Sequence, residues 1–386
     1  MRVALLTTDS RQHYGTFGEP LPSFGAAPEA LLQGFAGMPE VEVDVVSCLQ
    51  QPVEPTCRLA DNIVFHGLHV PKRGWLRSGY SGCIHAIRKK LRELQPDIVH
   101  GQGTERDCAV SAVFGGFPNV VTIHGNMTAL ARMFGARVGS YGWIAGRLED
   151  FTLGRTAGVF CNSAYTEALV APRARRTWRV PNAIRAPFFS PAQAAPPGDR
   201  CIVLNVGVIS ARKRQVELLD LAMRLRRKGV EFELHFVGHA DPHDPVGREF
   251  FAKMKDAESL GCARYLGLKS TKELIALLDS AHGLIHFPTE EAFGLVVPEA
   301  MARNLHVFGA RVGGIIDIAA GVPGAELFDH ENWIGLANAL THWVQSGFPR
   351  SQSAGEIVRE RYHPEVVARR HVEIYEKVLG RARTAA

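Results

Sequence analysis

Two glutamates with a glycine between them, Glu291 and Glu299, form the densest group of residues in this sequence that could do chemistry. Residues 288–301 read Pro-Thr-Glu-Glu-Ala-Phe-Gly-Leu-Val-Val-Pro-Glu-Ala-Met. Gly294 lets the backbone approach a ligand without a Cβ in the way. The spacing alone has a plainer explanation, because a glutamate in the first turn of a helix often only complements the helix dipole.

The elements around this segment place it where ligands bind in α/β domains. Residues 281–287 are short and apolar, which predicts a buried strand, and Pro298 suits the first position of a helix. The loop between them therefore lies at the carboxyl end of a strand. Ligands bind at that edge of doubly wound sheets, and the N–H groups of a helix amino terminus favour an anion such as a diphosphate.

A cationic cluster follows another predicted strand. Residues 201–206 predict the strand, and Gly207 opens the run Gly-Val-Ile-Ser-Ala-Arg-Lys-Arg-Gln before a predicted helix that ends at Arg227. Lys213 supplies a point charge, and Arg212 supplies a planar fork for paired phosphate oxygens. The pattern predicts an anion site, although a solvated helix start would carry the same charges.

The first half of the chain alternates short apolar runs with helical patterns, which predicts a parallel sheet covered by helices. Two of the predicted strands lead into a histidine followed by glycine, at His100 and His124. An imidazole at that edge can reach a ligand, and a histidine satisfied within the core is the alternative. The predicted strands are residues 3–7, 41–47, 63–66, 98–100, 120–124 and 159–162.

The whole string around the two glutamates resembles the E-x7-E signature of the retaining family 4 glycosyltransferases, which is Glu-(Gly/Ala)-Phe-Gly, four residues, then Glu-Ala-Met. Further similar stretches are Thr-Ile-His-Gly at 122–125, Pro-Asn-Ala at 181–183 and Gly-Gly at 313–314. The resemblance covers nearly the whole chain. It implies an α/β protein with the GT-B fold, in which two Rossmann-like domains face each other across an interdomain cleft.

The resemblance also implies roles for single residues. Glu291 would orient the sugar ring, Lys213 would bind the donor diphosphate, and His124 would face the transferred sugar, which makes these three the implied catalytic residues. Glu299 would bind the ribose. The rest of the implied donor site consists of Arg212, Gly207, Gly238, Leu268, Phe293, Gly294 and Leu295.

The sequence departs from the family pattern at Val208, where an arginine that binds the diphosphate is usual. Arg212 is the candidate to replace its charge. Gly15 and Gly18 lie in a glycine-rich stretch after the first strand, where the resemblance implies an acceptor-side loop, and His100 is assigned to the same side. A plain surface loop is the alternative for the two glycines.

As a function, the resemblance implies sugar transfer from a nucleotide-diphosphate donor, with a UDP-sugar favoured, to a glycan or lipid-linked acceptor with retention of anomeric configuration. No Asp-x-Asp element suited to a catalytic metal occurs, so neither a metal nor another cofactor is expected. A GT-B nucleotide-sugar epimerase or phosphorylase would share the fold and the diphosphate site. A non-catalytic nucleotide-sugar- or membrane-binding relative is the other alternative, if Val208 has disabled the site.

The length of 386 residues exceeds what one hydrophobic core usually holds, so two domains are expected. Residues 187–200 contain four prolines among small residues, which is typical of a linker. This predicts a Rossmann-like, acceptor-side domain at 1–186 and a nucleotide-sugar-binding domain at 201–363. As in GT-B proteins, the last segment, 364–386, is expected to be a helix that crosses back to the first domain.

Composition favours a protein of the cytoplasm, either free or peripherally bound at the inner face of the membrane. No apolar run approaches the roughly 20 residues of a membrane span, and the amino terminus suits a core strand rather than a signal peptide. Seven cysteines are widely spread and include no Cys-x-x-Cys pair, which argues against a disulfide framework and a zinc site.

The net charge of +5 arises entirely in the first half, since residues 1–195 carry 20 basic against 15 acidic residues and the remainder carries 24 of each. The densest basic part spans 72–92 and includes Trp75 and Tyr80. A mixture of basic and aromatic residues suits an anionic membrane surface, and a solvated helix face is the alternative. No nucleic-acid-binding motif accompanies the charge, so no nucleic-acid partner is expected. The sequence specifies no oligomeric state.

Overall fold

The computed structural model describes residues 1–54, 56–192, 198 and 200–380. The chain forms two compact units, of which the first combines Met1–Arg185 with Tyr362–Ala386 and the second is Ala186–Arg361. Part of the predicted linker, residues 193–197 and 199, lies outside the described residues, and so does the end of the predicted last segment from residue 381 on.

The first unit is built on one sheet of eight strands. In chain order they are β1 (Arg2–Leu6), β2 (Glu42–Leu49), β3 (Thr56–Ala60), β4 (Ile63–His69), β5 (Ile98–Gln102), β6 (Asn119–Ile123), β7 (Val159–Cys161) and β8 (Thr177–Arg179). Their order in the sheet is β3-β4-β2-β1-β5-β6-β7-β8. Among these pairs, β3 runs antiparallel to β4 and the others are parallel.

The second unit has a parallel sheet of six strands. They are β9 (Ile202–Val206), β10 (Glu233–Val237), β11 (Ala263–Gly267), β12 (Gly283–His286), β13 (His306–Ala310) and β14 (Ala325–Phe328). The order β11-β10-β9-β12-β13-β14 reverses direction between β9 and β12. Loops that leave two strands at such a reversal diverge and leave room for a ligand.

Helices connect the strands of both sheets. They are α1 (Arg11–Tyr14), α2 (Ala26–Ala36), α3 (Ser81–Leu94), α4 (Asp107–Phe114), α5 (Met127–Met133), α6 (Tyr141–Leu153), α7 (Ala164–Val170), α8 (Gln215–Arg227), α9 (Pro245–Ser259), α10 (Thr271–Ser280), α11 (Val296–Ala302), α12 (Gly314–Ala319), α13 (Trp333–Gln345), α14 (Ala354–Tyr362) and α15 (Pro364–Val378). In the part of the chain that the structure describes, no helix has the length and apolar character needed to cross a membrane.

All six strands predicted in the first half are confirmed, with ends that shift by up to three residues. Two edge strands, β3 and β8, were not predicted. Both consist of partly buried and exposed positions and carry few large apolar residues, so they give no apolar run. The antiparallel β3 also corrects the expectation of a wholly parallel first sheet.

Strand β1 shows how the first sheet is buried on both faces. Val3 and Leu5 belong to one core cluster, and Ala4 and Leu6 belong to another. Successive side chains of a strand point to opposite faces, so these two clusters lie on the two sides of the sheet. All four side chains are fully buried, as expected for a central parallel strand covered by helices.

Helix α15 packs within the first unit against α2. A Cβ placed on Gly34 of α2 would lie 2.2 Å from the carbonyl oxygen of Pro364 and 2.7 Å from the Cβ of Ala368, so glycine permits this close approach. From the inner face of α15, Tyr375 is hydrogen-bonded to Nδ1 of His100. The last helix thereby supplies part of the core of the first unit.

His100 is a core residue, which corrects its assignment to the acceptor side. Its side chain is fully buried, one ring nitrogen is bonded to Tyr375, and the other lies 2.7 Å from the hydroxyl of Thr122. Its ring also stacks on Phe160 with the centroids 5.0 Å apart. Both nitrogens therefore have partners inside the protein.

Buried histidines make the stability of the first unit depend on pH. Burial lowers the pKa of His371 to about 4 and also lowers the pKa of His100. In the unfolded chain a histidine titrates near pH ~6.5, so acid protonates the unfolded state first. We expect the free energy of unfolding to fall on acidification from about pH 6.5 towards about pH 4, with His371 contributing on the order of 2 kcal/mol by about pH 5.

Denaturant unfolding at neutral and mildly acidic pH tests this expectation. His371→Phe should weaken the pH dependence, whereas His330→Phe, at a position that is 45% exposed, should leave it unchanged. A His371→Phe protein with the full wild-type pH dependence would show that His371 does not contribute.

Trp75 and Tyr80 are also core residues. Both are buried, their rings pack edge to face, and the indole N–H of Trp75 donates to the carbonyl oxygen of Val70 at 2.9 Å. The basic residues of segment 72–92 therefore lack exposed aromatic neighbours from within that segment. This corrects the sequence-based picture of a mixed basic and aromatic surface there.

Candidate active site

The two loops that leave the sheet of the second unit at its reversal point bring the predicted charged residues together. One follows β9 and contains Lys213, and the other follows β12 and contains Glu291. The amide of Thr289 donates to the carbonyl oxygen of Arg212 at 2.9 Å and ties the loops to each other. The fold thus brings together Lys213 and Glu291, which are 78 positions apart in the sequence.

Glu291 lies at the centre of this group. Its Oε2 is 3.2 Å from Nε2 of His286, 3.5 Å from Nη1 of Arg212 and 3.7 Å from Nζ of Lys213. Burial alone would raise the pKa of the carboxyl group. The hydrogen bond from His286 and the charge of Lys213 outweigh burial and lower the pKa to about 2, so the carboxylate is ionised at neutral pH.

The cationic side of the group is also largely buried. Burial lowers the pKa of Lys213, and the charge of Glu291 opposes that shift. Burial likewise lowers the pKa of His286, against the hydrogen bond to Glu291. A neutral His286 donates its Nε2–H to the carboxylate. This histidine was missed in the sequence, although its position near the carboxyl end of a predicted strand was a usable signal.

Glycines leave room for these side chains. Gly207 has φ of +150°, and a Cβ on it would lie 2.8 Å from Nζ of Lys213. Gly294 has φ of +87°, and a Cβ on it would lie 3.1 Å from Cγ of Glu291. Both positions were predicted for the donor site. The structure shows that each glycine clears space beside one of the two charged residues.

A glycine turn before α12 fixes the backbone of Glu291. The amide of Gly314 donates to the carbonyl oxygen of Glu291 at 3.0 Å. A Cβ on Gly313 would lie only 1.7 Å from that same oxygen. The Gly-Gly pair noted in the sequence therefore supports the carboxylate loop from the other side.

Arg212 packs against the carboxylate loop beside Lys213. Its Nη1 donates to the carbonyl oxygen of Glu290 at 2.6 Å and lies 3.6 Å from a carboxylate oxygen of the same residue. Val208, in the place of the usual arginine, is 56% exposed and carries no charge. The described cations next to Glu291 are thus Arg212 and Lys213.

Helix α11 starts earlier than predicted. It spans Val296–Ala302, so Pro298 is its third residue and not its first. Proline is tolerated there because the first-turn amides have no partner within the helix. Glu299, the fourth residue, is buried, and so is Phe293 in the loop before the helix.

Two predicted donor-site residues lie at the β10 and β11 strands. Gly238 follows β10, and a Cβ on it would meet the carbonyl oxygen of Gly207 at 2.1 Å, so it lets the loop after β9 pack closely. Leu268 follows β11 and is exposed. Among the described residues, neither Gly238 nor Leu268 forms a hydrogen bond with Glu291.

Both halves of the chain match glycosyltransferase families. The family model described as "Glycosyltransferase Family 4" matches residues 30–186, and that described as "Glycosyl transferases group 1" matches residues 188–361. By both of its domains, the chain belongs to the GT-B glycosyltransferases. The E-x7-E segment lies within the second match.

Solved structures confirm the fold predicted for this glycosyltransferase. It is similar to sucrose-phosphate synthase from Thermosynechococcus elongatus, with a TM-score of 0.72 and 17% identity over 98% of this chain and 99% of the other. For HepE from Anabaena, in complex with UDP, the TM-score is 0.71 and the identity is 15%, over 98% of this chain and 100% of the other. For the lipopolysaccharide outer core galactosyltransferase WaaB, the TM-score is 0.69 and the identity is 16%, over 98% of this chain and 100% of the other.

Curated relatives match over a shorter stretch. The trehalose synthases of Thermococcus litoralis and Pyrococcus furiosus are each 25% identical over 188 residues. That stretch is 47% of this chain and 44% of each relative. The match therefore spans less than half the length of these curated relatives.

In the first unit of the glycosyltransferase, His124 lies at the carboxyl end of β6. Its Nε2 is 2.9 Å from Oε1 of Gln102, at the end of the neighbouring strand β5. Burial lowers the pKa of His124 to about 4, so the imidazole is neutral at physiological pH. Gln102 was missed in the sequence, although the Gly-Gln-Gly run at 101–103 marked a strand end.

Glu105 is a second residue of the first unit that the sequence did not suggest. Its Oε1 accepts a hydrogen bond from the amide of Gly125, next to His124, and burial raises its pKa. A Cβ on Gly103 would lie 2.2 Å from Oε2 of Glu105 and 3.5 Å from Cδ2 of His124. A carboxyl group thus lies close to the predicted histidine.

The predicted acceptor-side glycines belong to the loop after β1. Gly15 ends α1 in a left-handed conformation, with φ of +71°. A Cβ on Gly15 or on Gly18 would have no neighbour within 4 Å. Close packing therefore requires neither glycine, and the left-handed turn requires glycine only at position 15.

One group of potential metal ligands occurs among the described residues, and it belongs to the first unit. The ligand atoms of Cys48, Cys83 and Asp107 lie within 4.8 Å of one another. Spacing in the sequence gave no sign of this group. The hydrogen bond with Cys83 and burial raise the pKa of Cys48 well above its usual value, so its thiol is held protonated. All seven cysteines are free.

Proposed function

We propose that the protein transfers a sugar from a nucleotide-diphosphate donor to a hydroxyl acceptor with retention of anomeric configuration. The observation that carries this proposal is the ionised Glu291 held between His286, Lys213 and Arg212 at the reversal point of the second sheet. In the reaction, the bond from C1 of the sugar to the diphosphate breaks and a bond from C1 to the acceptor oxygen forms. The acceptor proton leaves with the diphosphate or to solvent.

The cations beside Glu291 suit the leaving diphosphate. Negative charge develops on that group as the C1–O bond breaks, and preorganised cations in a largely buried site stabilise it well. Lys213 occupies the position of the lysine that, by the resemblance, binds the diphosphate in the family. Arg212, next to it, supplies a second cation where Val208 supplies none.

Glu291 is proposed to align the sugar ring. Ionised oxygens accept hydrogen bonds from sugar hydroxyls, and this carboxylate is fixed on one side by His286 and at its backbone by Gly314. His124 is proposed to contact the transferred sugar, with Gln102 holding its ring. Retention is proposed from the resemblance of the segment around Glu291 to the retaining family, and NMR of the anomeric proton in the product tests it.

The donor is proposed to be a UDP-sugar. HepE, which has a similar fold, has been solved with UDP and with UDP-glucose. A thermal-shift screen of nucleotide sugars followed by mass spectrometry of products would identify the donor. A protein that binds a donor but neither transfers nor hydrolyses its sugar would instead be a non-catalytic relative. Val208 in place of the usual arginine is the observation that favours this alternative. Release of a sugar phosphate with added phosphate would indicate a phosphorylase.

We expect activity without a divalent metal. Lys213 and Arg212 already supply the positive charge that a metal ion supplies to a leaving diphosphate in other enzymes. Activity should therefore be the same before and after treatment with EDTA. A loss that magnesium or manganese restores would contradict this.

Glu299→Ala should act mainly on donor affinity. By family resemblance its carboxylate binds ribose hydroxyls, which do not change during the reaction. Charged hydrogen bonds of this kind contribute about 1.5–3 kcal/mol, so KM for the donor should rise roughly 10- to 100-fold with little change in kcat.

Glu273→Ala is the matched control for this variant. Glu273 is also a first-turn glutamate of the second unit, but it caps α10 together with Ser270. Its loss should lower the melting temperature and leave KM unchanged. If Glu299→Ala behaves in the same way, Glu299 is only a helix support.

A further inference from the structure

Large apolar side chains are exposed at the turn between two helices of the first unit. Helix α5 ends at Met133, helix α6 begins at Tyr141, and residues 134–140 connect them. Phe134 is 66% exposed and Val138 is 81% exposed, and Met133 and Tyr141 on either side are about half exposed. Exposed apolar groups clustered in this way mark an interaction surface more often than isolated ones do.

The same segment is basic. Residues 127–148, which we call the α5–α6 hairpin, contain Arg132, Arg137 and Arg147 and no aspartate or glutamate. Apolar side chains at the tip of a basic hairpin match the two layers of an anionic bilayer surface, with phosphates outside and acyl chains within. The charge alone would suit an acidic protein as well as an anionic membrane. The exposed phenylalanine and valine favour the membrane, because its acyl chains can take up apolar side chains.

A groove of about 330 Å³ lies between the two helices and adds a place for a head group. Its walls include Arg132, Arg147 and Trp143, and the guanidinium of Arg147 lies 5.6 Å from the ring of Trp143. Asp150, the acidic residue of the groove, is paired with Arg173 at 2.6 Å. Nη1 of Arg173 also lies 2.9 Å from Oε1 of the buried Glu149, so this cation is shared between the two carboxylates.

We propose that the α5–α6 hairpin binds the surface of an anionic phospholipid membrane. Phe134 and Val138 enter the boundary between head groups and acyl chains, and the arginines contact lipid phosphates. The basic helix α3, which carries part of the densest basic segment of the sequence, is not assigned this role, because Trp75 and Tyr80 next to it are buried. The inference deepens the proposed function, since it names the surface where a lipid-linked acceptor would be met, but it uses none of the donor-site residues.

Sedimentation of the full-length protein with lipid vesicles tests the proposal. We expect binding to phosphatidylcholine vesicles that contain phosphatidylglycerol, weaker binding at high salt, and little binding to pure phosphatidylcholine. Phe134→Ser combined with Val138→Ser should lower partitioning at least tenfold. Arg132→Gln and Arg137→Gln should each lower it about fivefold.

Two control variants separate this surface from general effects. Ile334→Ser removes an apolar side chain that is 76% exposed on the second unit, and Arg88→Gln with Lys89→Gln removes two exposed charges from α3. Both should bind vesicles nearly as the wild type does. Melting curves establish that each variant is folded.

Three results would overturn the proposal: equal binding to neutral and anionic vesicles, hairpin variants that bind like the wild type, or α3 variants that lose as much as the hairpin variants. A hairpin variant that changes the oligomeric mass but not vesicle binding would show instead that the hairpin contacts a second copy of the chain. Glu291→Gln should bind vesicles normally while losing sugar transfer, so failure of the proposed chemistry and failure of this inference give different results.

Discussion

Replacing Glu291 with alanine is expected to lower kcat roughly 10²- to 10³-fold without raising KM for the donor. The carboxylate is proposed to contact the sugar ring, whose C1 carries charge in the transition state, so its loss acts on the reacting state. Its removal also frees Lys213 and Arg212 from an ion pair. Donor affinity should therefore stay the same or increase, because both cations become available to the diphosphate.

Glu291→Gln is the matched variant, because it keeps the shape of the side chain and removes only the charge. It should share the fall in kcat. If Glu291 served only to neutralise the cations around it, both variants would melt at lower temperature and keep normal kinetics. A Glu291→Ala enzyme with near wild-type kcat would disprove the assigned role, so steady-state kinetics and melting curves should be measured together.

Gly313→Ala is expected to destabilise the second unit by on the order of 3–5 kcal/mol or to abolish its folding. A Cβ at this position would lie 1.7 Å from the carbonyl oxygen of Glu291, and the backbone has φ of +50° and ψ of −137°, which alanine rarely adopts. Two backbone segments would have to move apart. The shift would also displace Glu291, so any folded protein should have lost most of its activity.

Gly261→Ala separates strain from overlap. Gly261 also has a positive φ, of +64°, but a Cβ on it would have no neighbour within 4 Å. This variant should lose only about 1 kcal/mol, the cost of a left-handed conformation for a residue other than glycine. Chemical unfolding of both variants measures the difference. Equal losses would mean that the turn before α12 does not press on the Glu291 loop.

Much of the fold could be predicted because buried parallel strands leave continuous apolar runs in the sequence. The strands β1, β9 and β12 are of this kind, and the resemblance around Glu291 indicated the GT-B fold that the solved structures confirm. Edge strands such as β3 and β8 are partly exposed and carry few large apolar residues, so they leave no such run. The start of α11 was misplaced for a different reason, because a proline such as Pro298 fits several positions of a first helical turn.

The arrangement of the site could be predicted only in part. Resemblance indicated Glu291 and Lys213, but not that His286 and Arg212 would share the same carboxylate oxygen, because that depends on which strands are neighbours in the sheet. Burial was the other missing quantity. Trp75 was given a surface role by composition and His100 an acceptor-side role by position, and both are buried. Trp75 packs on its own neighbourhood, against Tyr80 and Val70, whereas His100 is covered by α15, which is distant in the sequence.

The packing of α15 on α2 has a consequence for the order in which the chain can fold during its synthesis. The second unit is one continuous segment, so all of its residues are translated before α15 is. The first unit lacks the partner of Gly34 and the hydroxyl that bonds His100 until Tyr375 emerges. The half of the protein that is made first is therefore completed last, and a nascent chain stalled before α15 would expose the apolar face of α2 to chaperones.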